Sequence, residues 1–334
     1  MWPFSASYPE RRVEEVDGKT YDYIIVGGEF PFTRVDRVCF LPATLGEAAD
    51  MPIGGTSGCV LASRLSEDPA VSVLVLEKGH VNDHFLSRIP LLSQNYAFPG
   101  LQAVSRLSEP GVEVFGRRTR LWTAEGVGGA SRINGMILTR GVPGGYNEWS
   151  QSFGLTDWSW DDVEPYFVKM ENAQGHPKAK HRGHDGPLVT RQVESPLGCY
   201  PYIQKATQAV GLPFERDAND PAASAQGYFK LDLAINEKGE RLSSYRAWLD
   251  ARTATERKSH LTVCTGVVAS RLEVDEKQMR VTGVYLRKAR HGSSSRDFYV
   301  KARKEIILCG GAICTPQLLM LRYREDLTEP LRSN

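Results

Sequence analysis

Tyr21-Asp-Tyr-Ile-Ile-Val-Gly-Gly28 is the stretch that decides the fold. An apolar run closing on paired glycines has the pattern of a strand buried on both faces, the opening strand of a dinucleotide-binding unit. Such a strand should turn through Gly-x-Gly-x-x-Gly directly into a helix. The glycines let backbone approach a diphosphate and let the helix lie close on the strand. This chain instead runs from Glu29 to Ile53, through Pro31, Pro42 and Pro52, before Gly54-Gly-Thr-Ser-Gly58 appears. Cys59-Val-Leu-Ala-Ser-Arg-Leu65 then has helical spacing, with Val60, Leu61 and Leu65 near one face. Val71-Ser-Val-Leu-Val-Leu-Glu77 reads as a second buried strand. Its terminal Glu77 lies 19 positions past Gly58, where a carboxylate can accept hydrogen bonds from a pair of ribose hydroxyls. A solvated strand-end acid is the plainer alternative.

Residues 28–53 can be read in two ways. As a genuine surface loop they would separate the phosphate-binding turn from the helix N-terminus that a diphosphate needs. As a translated intron they explain themselves: Gly28-Glu29-Phe30 can be encoded GGT-GAG-TTT, with a donor-like GTGAGT, and Ile53-Gly54 can be encoded ATA-GGN, with an acceptor-like TAG. Joining the codon fragments restores Val26-Gly-Gly-Gly55-Thr-Ser-Gly58. The second reading is favoured, and a transcript that keeps these codons throughout would sink it.

Two later blocks carry the same chemistry. In Gly126-Val-Gly-Gly-Ala-Ser-Arg-Ile-Asn-Gly-Met-Ile-Leu-Thr-Arg-Gly141, Gly128 and Gly129 let backbone approach a flat ring or a phosphate with no Cβ in the way. Ser131 and Asn134 offer polar side chains three positions apart. Glu305-Ile-Ile-Leu-Cys-Gly-Gly-Ala312 reads as a buried strand ending in small residues. Nucleotides sit at the strand ends of open α/β sheets, so Gly311 and Ala312 are candidate contacts; a strand-to-helix corner would also want glycine.

With the break closed, the opening resembles that of the glucose–methanol–choline (GMC) oxidoreductases. Gly126–Gly141 is similar to the first signature of that family. Leu261-Thr-Val-Cys-Thr-Gly-Val-Val-Ala-Ser-Arg-Leu272 resembles its adenine-facing strand, and Lys304–Leu321 resembles its second signature. The resemblance covers residues 20–321, apart from the insertion. It implies an α/β fold: a Rossmann-like FAD-binding domain interleaved with an incomplete α+β substrate domain. It also implies FAD as cofactor, a small-molecule alcohol as substrate, and oxidation of a CH–OH group with hydride passing to flavin N5. The contacts it implies are Gly27, Gly28, Gly55, Thr56, Ser57, Gly58 and Glu77, then Gly126, Gly129, Ser131, Asn134, Gly135, Met136 and Ile137. Val268, Ala269, Gly311 and Ala312 complete the set. Two departures stand out. Val127 replaces the usual Leu, and Thr123-Ala-Glu125 stands where the family has Gly and a basic residue.

The expected organisation is an FAD-binding segment over 20–141, a substrate segment over 142–230, a second FAD-binding segment over 231–321, and a non-family tail over 322–334. The substrate segment is rich in aromatics, as in Trp158-Ser-Trp160, which suit core more often than pocket lining. His176, His181 and His184 lie on a polar, glycine-bearing loop. They lack the accompanying ligands of a metal site, and His184-Asp-Gly-Pro-Leu188 reads as a turn entering a strand. From Ser243 a helix to Ala254 is expected, then strands at 261–272, 281–288 and 296–301, with turns at Glu237-Lys-Gly, Asp275-Glu-Lys-Gln and His291-Gly-Ser-Ser-Ser.

After Leu321 the family expects Ser-Gly-Ile-Gly, whereas Arg322-Tyr-Arg-Glu-Asp-Leu-Thr-Glu-Pro-Leu-Arg-Ser-Asn334 follows here. A second retained intron is the economical account. The resemblance places the family's proton-abstracting His, and its His or Asn partner, beyond this point. No catalytic residue is assigned, and an incomplete, non-catalytic FAD-binding fragment is the competing reading. An NAD-linked dehydrogenase fits the glycine fingerprint but not the later blocks.

Composition narrows the partners. Lys plus Arg number 41 and Asp plus Glu 40, a formal charge of +1, whereas a nucleic-acid or anionic-membrane partner normally demands an excess of basic residues. No apolar run approaches the ~18 residues of a membrane span. The N-terminus lacks a basic and then apolar leader pattern, so a cytoplasmic location is the default expectation. The six cysteines, with no CxxC spacing, read as reduced and buried.

Overall fold

In the computed structural model, residues 8–27, 55–94, 96, 101–193, 198–289 and 296–322 are described. Gly28, the interpolated stretch, the turn at His291 and the tail beyond Arg322 lie outside them. The described residues form two compact units. One takes those up to 87, those of 91–133 and those from 243 onward; the other takes 88–90 and 134–242.

The first unit is built on a seven-stranded mixed sheet. Its order is Glu10–Arg11, Leu261–Thr265, Val73–Glu77, Thr20–Gly27, Phe298–Cys309, Arg280–Lys288 and Val267–Asp275. The first five run parallel and the last two join as an antiparallel hairpin. Alternate residues of the central strands feed two separate cores. Ile24, Val26, Leu74 and Leu76 face one side, and Ile25, Val73 and Val75 face the other. That is why both strands read as continuous apolar runs. Each fully buried Ile or Leu contributes roughly 1.5–3 kcal/mol.

Four details differ from the sequence reading. Helix Thr56–Leu65 fully buries Gly58, Cys59, Ala62 and Ser63, while Leu61 and Leu65 pack only partly buried against the same core. A Cβ on Gly58 would stand 3.3 Å from Ile25 Cγ2 and 3.7 Å from Cys309 Cβ, so only small residues permit this close approach. The run 261–272 breaks at Gly266 (φ +66°) into two strands with different neighbours in the sheet. Segments 296–301 and 305–312 are instead one strand, Phe298–Cys309, only half-buried at its end, and Gly311 and Ala312 open the helix Gly311–Arg322. The helix expected over 243–254 is two short ones, Ser244–Trp248 and Ala251–Glu256. Asp250 divides them: its extended backbone lets its carboxylate accept from the Thr253 amide at 2.8 Å and cap the second.

Asp22 ties three adjacent strands together. Its carboxylate accepts from the Ser72 amide and hydroxyl, both at 2.8 Å, and from Arg303 Nε at 3.0 Å. Arg303 lies in the register irregularity between Ala302 and Glu305. The Arg303 hydrogen bonds, followed by those from Ser72, hold the Asp22 carboxyl well below the usual range. A lowered folded pKa contributes stability that is complete above the unfolded value of about 3.9 and is lost as pH falls through the folded one. The stability difference between the parent and Asp22→Asn, measured by urea unfolding, should therefore stay level from neutral pH to about 5 and shrink below about 4. A difference independent of pH would contradict this.

The second unit carries a four-stranded sheet in the order Ile137–Leu138, Asp232–Leu233, Leu188–Gln192 and Glu171–Gln174. Helices Pro143–Ser152 and Trp160–Met170 hold an aromatic cluster in which Tyr146 lies 5.3, 5.6 and 5.9 Å from Trp149, Trp160 and Phe167. Of these helices' aromatics Trp160 is buried as core, whereas Trp149 is exposed, as is the neighbouring Trp158. Two histidines of the polar loop, His176 and His181, are paired with acids. His176 Nε2 meets Asp232 Oδ1 at 2.7 Å, within a buried network that includes Arg182 and Asp217. The turn at His184 leads into strand Leu188–Gln192 as expected.

Candidate cofactor site

A narrow cleft lies at the carboxyl ends of the central strands. Thr20–Gly27 has Val73–Glu77 on one side and Phe298–Cys309 on the other, so the connections diverge there, where open α/β sheets bind nucleotides. Gly27 is paired in register with Cys309. A cleft between them is lined by Val26, Gly27, Leu308, Gly310, Cys314, Thr315 and Leu318.

Beside it, two glycine segments far apart in sequence meet. Gly55 is the N-cap of helix Thr56–Leu65. A Cβ on Gly129 would stand 2.9 Å from Gly55 Cα and 3.1 Å from the Thr56 nitrogen, and Gly129 itself has φ +50°. The approach is locked by hydroxyls. The Gly128 carbonyl accepts from Thr56 Oγ1 at 3.1 Å and Ser131 Oγ at 2.6 Å, and the Ser131 amide donates to Thr56 Oγ1 at 3.2 Å. Ser244 joins from more than a hundred residues away, its amide donating to Ser131 Oγ at 3.0 Å. Ser57, next to this junction, is exposed.

Glu77 ends its strand wholly buried, and its Oε1 accepts from the Gly79 amide at 2.7 Å. Burial, the largest influence, raises its carboxyl well above the ordinary range. A Cβ on Gly79 would lie 2.2 Å from the Glu125 carbonyl oxygen, so this loop is pressed against the residue that precedes Gly126. The Glu125 side chain is ion-paired with Lys78 at 2.8 Å and Arg106 at 2.9 Å.

The other expected contacts belong to further elements. Val268 and Ala269 are buried in the hairpin, paired with Arg287 and Leu286. Gly311 (φ +75°) and Ala312 are exposed at the start of their helix. In the second unit, Asn134 Oδ1 accepts from the Met136 amide and from Arg241, both at 3.0 Å. Met136 is buried in a left-handed conformation, while Gly135 and Ile137 are exposed. The sequence reading missed Ser244, Gly79 and Lys78. Gly79, two positions after the strand-end acid, was findable; Ser244 was not, because only the fold brings it to Ser131.

The GMC oxidoreductase family model matches residues 21–322. This chain belongs to the GMC oxidoreductase family. Its GMC relatives include the oxygen-dependent choline dehydrogenase of Pseudomonas savastanoi pv. phaseolicola, 34% identical over 270 residues that cover 79% of this chain and 45% of that protein. Among solved structures, pyridoxine 4-oxidase from Mesorbium loti superposes with a TM-score of 0.71 at 25% identity, over 90% of this chain and 51% of that one. An FAD-dependent oxidoreductase from Chaetomium thermophilum gives 0.71 at 27% identity, over 90% and 47%. The chain thus spans about half the length of the relatives it matches. Its fold is the Rossmann-like FAD-binding fold of GMC enzymes, and its cofactor is FAD. The described residues are compatible with that cofactor: at Gly55 and Gly129 two backbones meet with no room for a Cβ, at the N-terminus of a helix, as a diphosphate-binding turn requires. Among the described residues no helix is long and apolar enough to cross a membrane.

Proposed function

We propose that this chain is the FAD-binding portion of an oxidoreductase acting on the CH–OH group of a small-molecule alcohol, giving an aldehyde or ketone. When bound, FAD supplies the hydride acceptor at N5. The observation that carries the reading is the interlock of Gly55 and Thr56 with Gly128 and Gly129, beside a buried strand-end carboxylate. In this reading the residues from Gly27 to Gly58 meet the diphosphate and Glu77 holds the adenosine ribose. Gly126 to Ile137 run along the flavin, Val268 or Ala269 meets the adenine, and Gly311 and Ala312 close the site. Residues 20–141 and 231–321 form the FAD-binding domain and 142–230 the substrate segment. None of the seven histidines in the chain is assigned the role of base. His80, which follows the ribose loop, is engaged with Glu10 at 2.9 Å and Thr265 at 3.1 Å.

The test is to titrate FAD into the purified chain and then add primary alcohols without oxygen. Bound flavin that bleaches with an alcohol supports oxidation by this chain. Bound flavin that stays oxidised supports a non-catalytic FAD-binding fragment, and no binding refutes the cofactor assignment.

Glu77 gives a sharper expectation. Its raised carboxyl makes ionisation unfavourable in the unligated fold, so it costs stability as pH rises from the unfolded value of about 4.3 towards the folded one. Glu77→Gln should therefore stabilise the unligated chain at neutral pH. It should also weaken FAD binding by about tenfold or more, because an amide NH2 replaces one of the two carboxyl oxygens that a ribose hydroxyl pair would use. Thermal melts with and without FAD check both halves; an unchanged FAD-induced shift would remove Glu77 from the site.

A further inference from the structure

Arg132 ends the short helix Gly129–Arg132, and its side chain runs back along the glycines that precede it. A Cβ on Gly128 would stand 3.3 Å from Arg132 Cγ and 3.4 Å from Cδ, and one on Gly126 would stand 2.9 Å from Nη1. Arg132 is only 3% exposed, and its Nη2 donates to the carbonyl of Asn82, in the loop that follows strand Val73–Glu77. That loop starts from Glu77, 1% exposed, whose Oε1 accepts from the Gly79 amide at 2.7 Å. Gly79 touches the glycine block in turn, its Cβ position lying 2.7 Å from the Gly126 nitrogen. Carboxylate, touching glycines and guanidinium are therefore one contiguous cluster inside the first unit.

Burial opposes the ionisation of Glu77, and a nearby cation favours it. Two cations act on Glu77: Arg132 more strongly, and Lys78, which is paired with Glu125 at 2.8 Å. Glu125 opposes them, and is itself also held by Arg106 at 2.9 Å. Arg132 faces Asp83 and Glu77, whose charges offset the cost of burying it, with Tyr245 and Cys59 close by. Asp83 also has Arg246 Nε at 4.0 Å, so it is not left alone when Arg132 is replaced. Burial pushes the Cys59 thiol up to about 12, so it stays neutral near neutral pH.

We propose that Arg132 is a positioning residue of the cofactor site, the buried countercharge that lets Glu77 meet the ribose as a carboxylate. The proposal rests on the FAD assignment and the ribose role of Glu77 given above. A purely structural staple, tying the Asn82 loop to the glycine block, would weaken binding equally at every pH once removed. A countercharge acts only where Glu77 titrates. Without the guanidinium the Glu77 carboxyl rises further, so the gain in FAD affinity that follows its ionisation moves to higher pH.

The experiment measures the FAD dissociation constant by flavin fluorescence, from about pH 6 to about pH 9, for the full chain and four variants. These are Arg132→Met, Arg132→Lys, Glu77→Gln and the double variant Arg132→Met with Glu77→Gln; far-UV circular dichroism reports folding of each. At neutral pH Arg132→Met should bind about tenfold more weakly than the parent, a shift of about one pH unit, and the deficit should shrink as pH rises. Arg132→Lys keeps the charge and should follow the pH profile of the parent. In the Glu77→Gln background, replacing Arg132 should leave the profile unchanged, because the titrating group is gone. A deficit that is absent, or constant across the range, overturns the proposal. So does a profile that still shifts in the Glu77→Gln background, which would hand the titration to another group such as His80. If Arg132→Met fails to fold while the double variant folds, the uncompensated carboxylate is the cause and the charge account stands; failure of both overturns it in favour of the staple. A parent chain that binds no FAD refutes the cofactor assignment, and Glu77→Gln binding as tightly as the parent refutes the ribose role, results distinct from all of these.

Discussion

Gly129→Ala should all but abolish FAD binding, lowering affinity by at least about a hundredfold, and cost the fold about 2–4 kcal/mol. The new Cβ would face backbone, 2.9 Å from Gly55 Cα and 3.3 Å from the Gly55 carbonyl carbon, and backbone cannot rotate away as a side-chain tip can. The left-handed φ of +50° adds strain that only glycine avoids. Relief requires the Gly55–Thr56 turn to withdraw, which breaks the Thr56 bonds to Gly128 and Ser131 and moves the helix N-terminus away from the diphosphate position. Gly144→Ala, outside every proposed contact, is the control, since nothing lies within 4 Å of its Cβ position and its φ is not positive. Flavin titration and chemical unfolding of both variants decide the matter. Equal affinity in the two would mean that the interlock is not the cofactor cradle.

Glu171→Ala should be the most damaging change in the second unit, at about 3–5 kcal/mol, without any part in cofactor binding. Glu171 and Arg140 are fully buried and paired at 2.6 Å, and Arg182 reaches the other Glu171 oxygen at 2.9 Å. Thr190 Oγ1 and the Gly183 amide also donate to this carboxylate, at 3.2 and 3.3 Å. Its removal leaves the Arg140 guanidinium in the interior, with the His181 carbonyl to meet it but no carboxylate. Replacing both partners with apolar residues, as in Arg140→Met with Glu171→Leu, should recover part of the loss, because the uncompensated charge disappears with its partner. Urea unfolding of the three variants measures this. A single-variant loss below about 1 kcal/mol, or a double variant worse than the single, would contradict it.

Much of this was legible in the linear chain. The period-two exchange of Ile24 and Ile25 between two cores, the strand-end acid at Glu77 and the small residue at Gly58 all follow from local rules that neighbouring residues satisfy by themselves. The elements misjudged were those that a distant contact or a single cap decides. One helix became two because the Asp250 side chain competes for the Thr253 amide. One strand became two because Gly266 takes a left-handed turn. In helix Thr56–Leu65 the small residues make the close approach to the sheet, which leaves Leu61 and Leu65 to pack on the same core only partly buried.

The sequence alone determined the chemistry this chain is suited to: a buried strand, glycines, a helix and a terminal carboxylate are residue types that a dinucleotide requires whatever surrounds them. Tertiary structure alone decided which of those residues stand together. Thr56, Gly128, Ser131 and Ser244 form one hydrogen-bonded knot, and Lys78, Glu125 and Arg106 one charge cluster. Their partners come from chain segments tens to more than a hundred residues apart. Hydroxyls and charges have no periodicity to betray such meetings; they are settled only when the sheet and its loops have closed, and a buried polar group must find its partner there or cost the fold its desolvation.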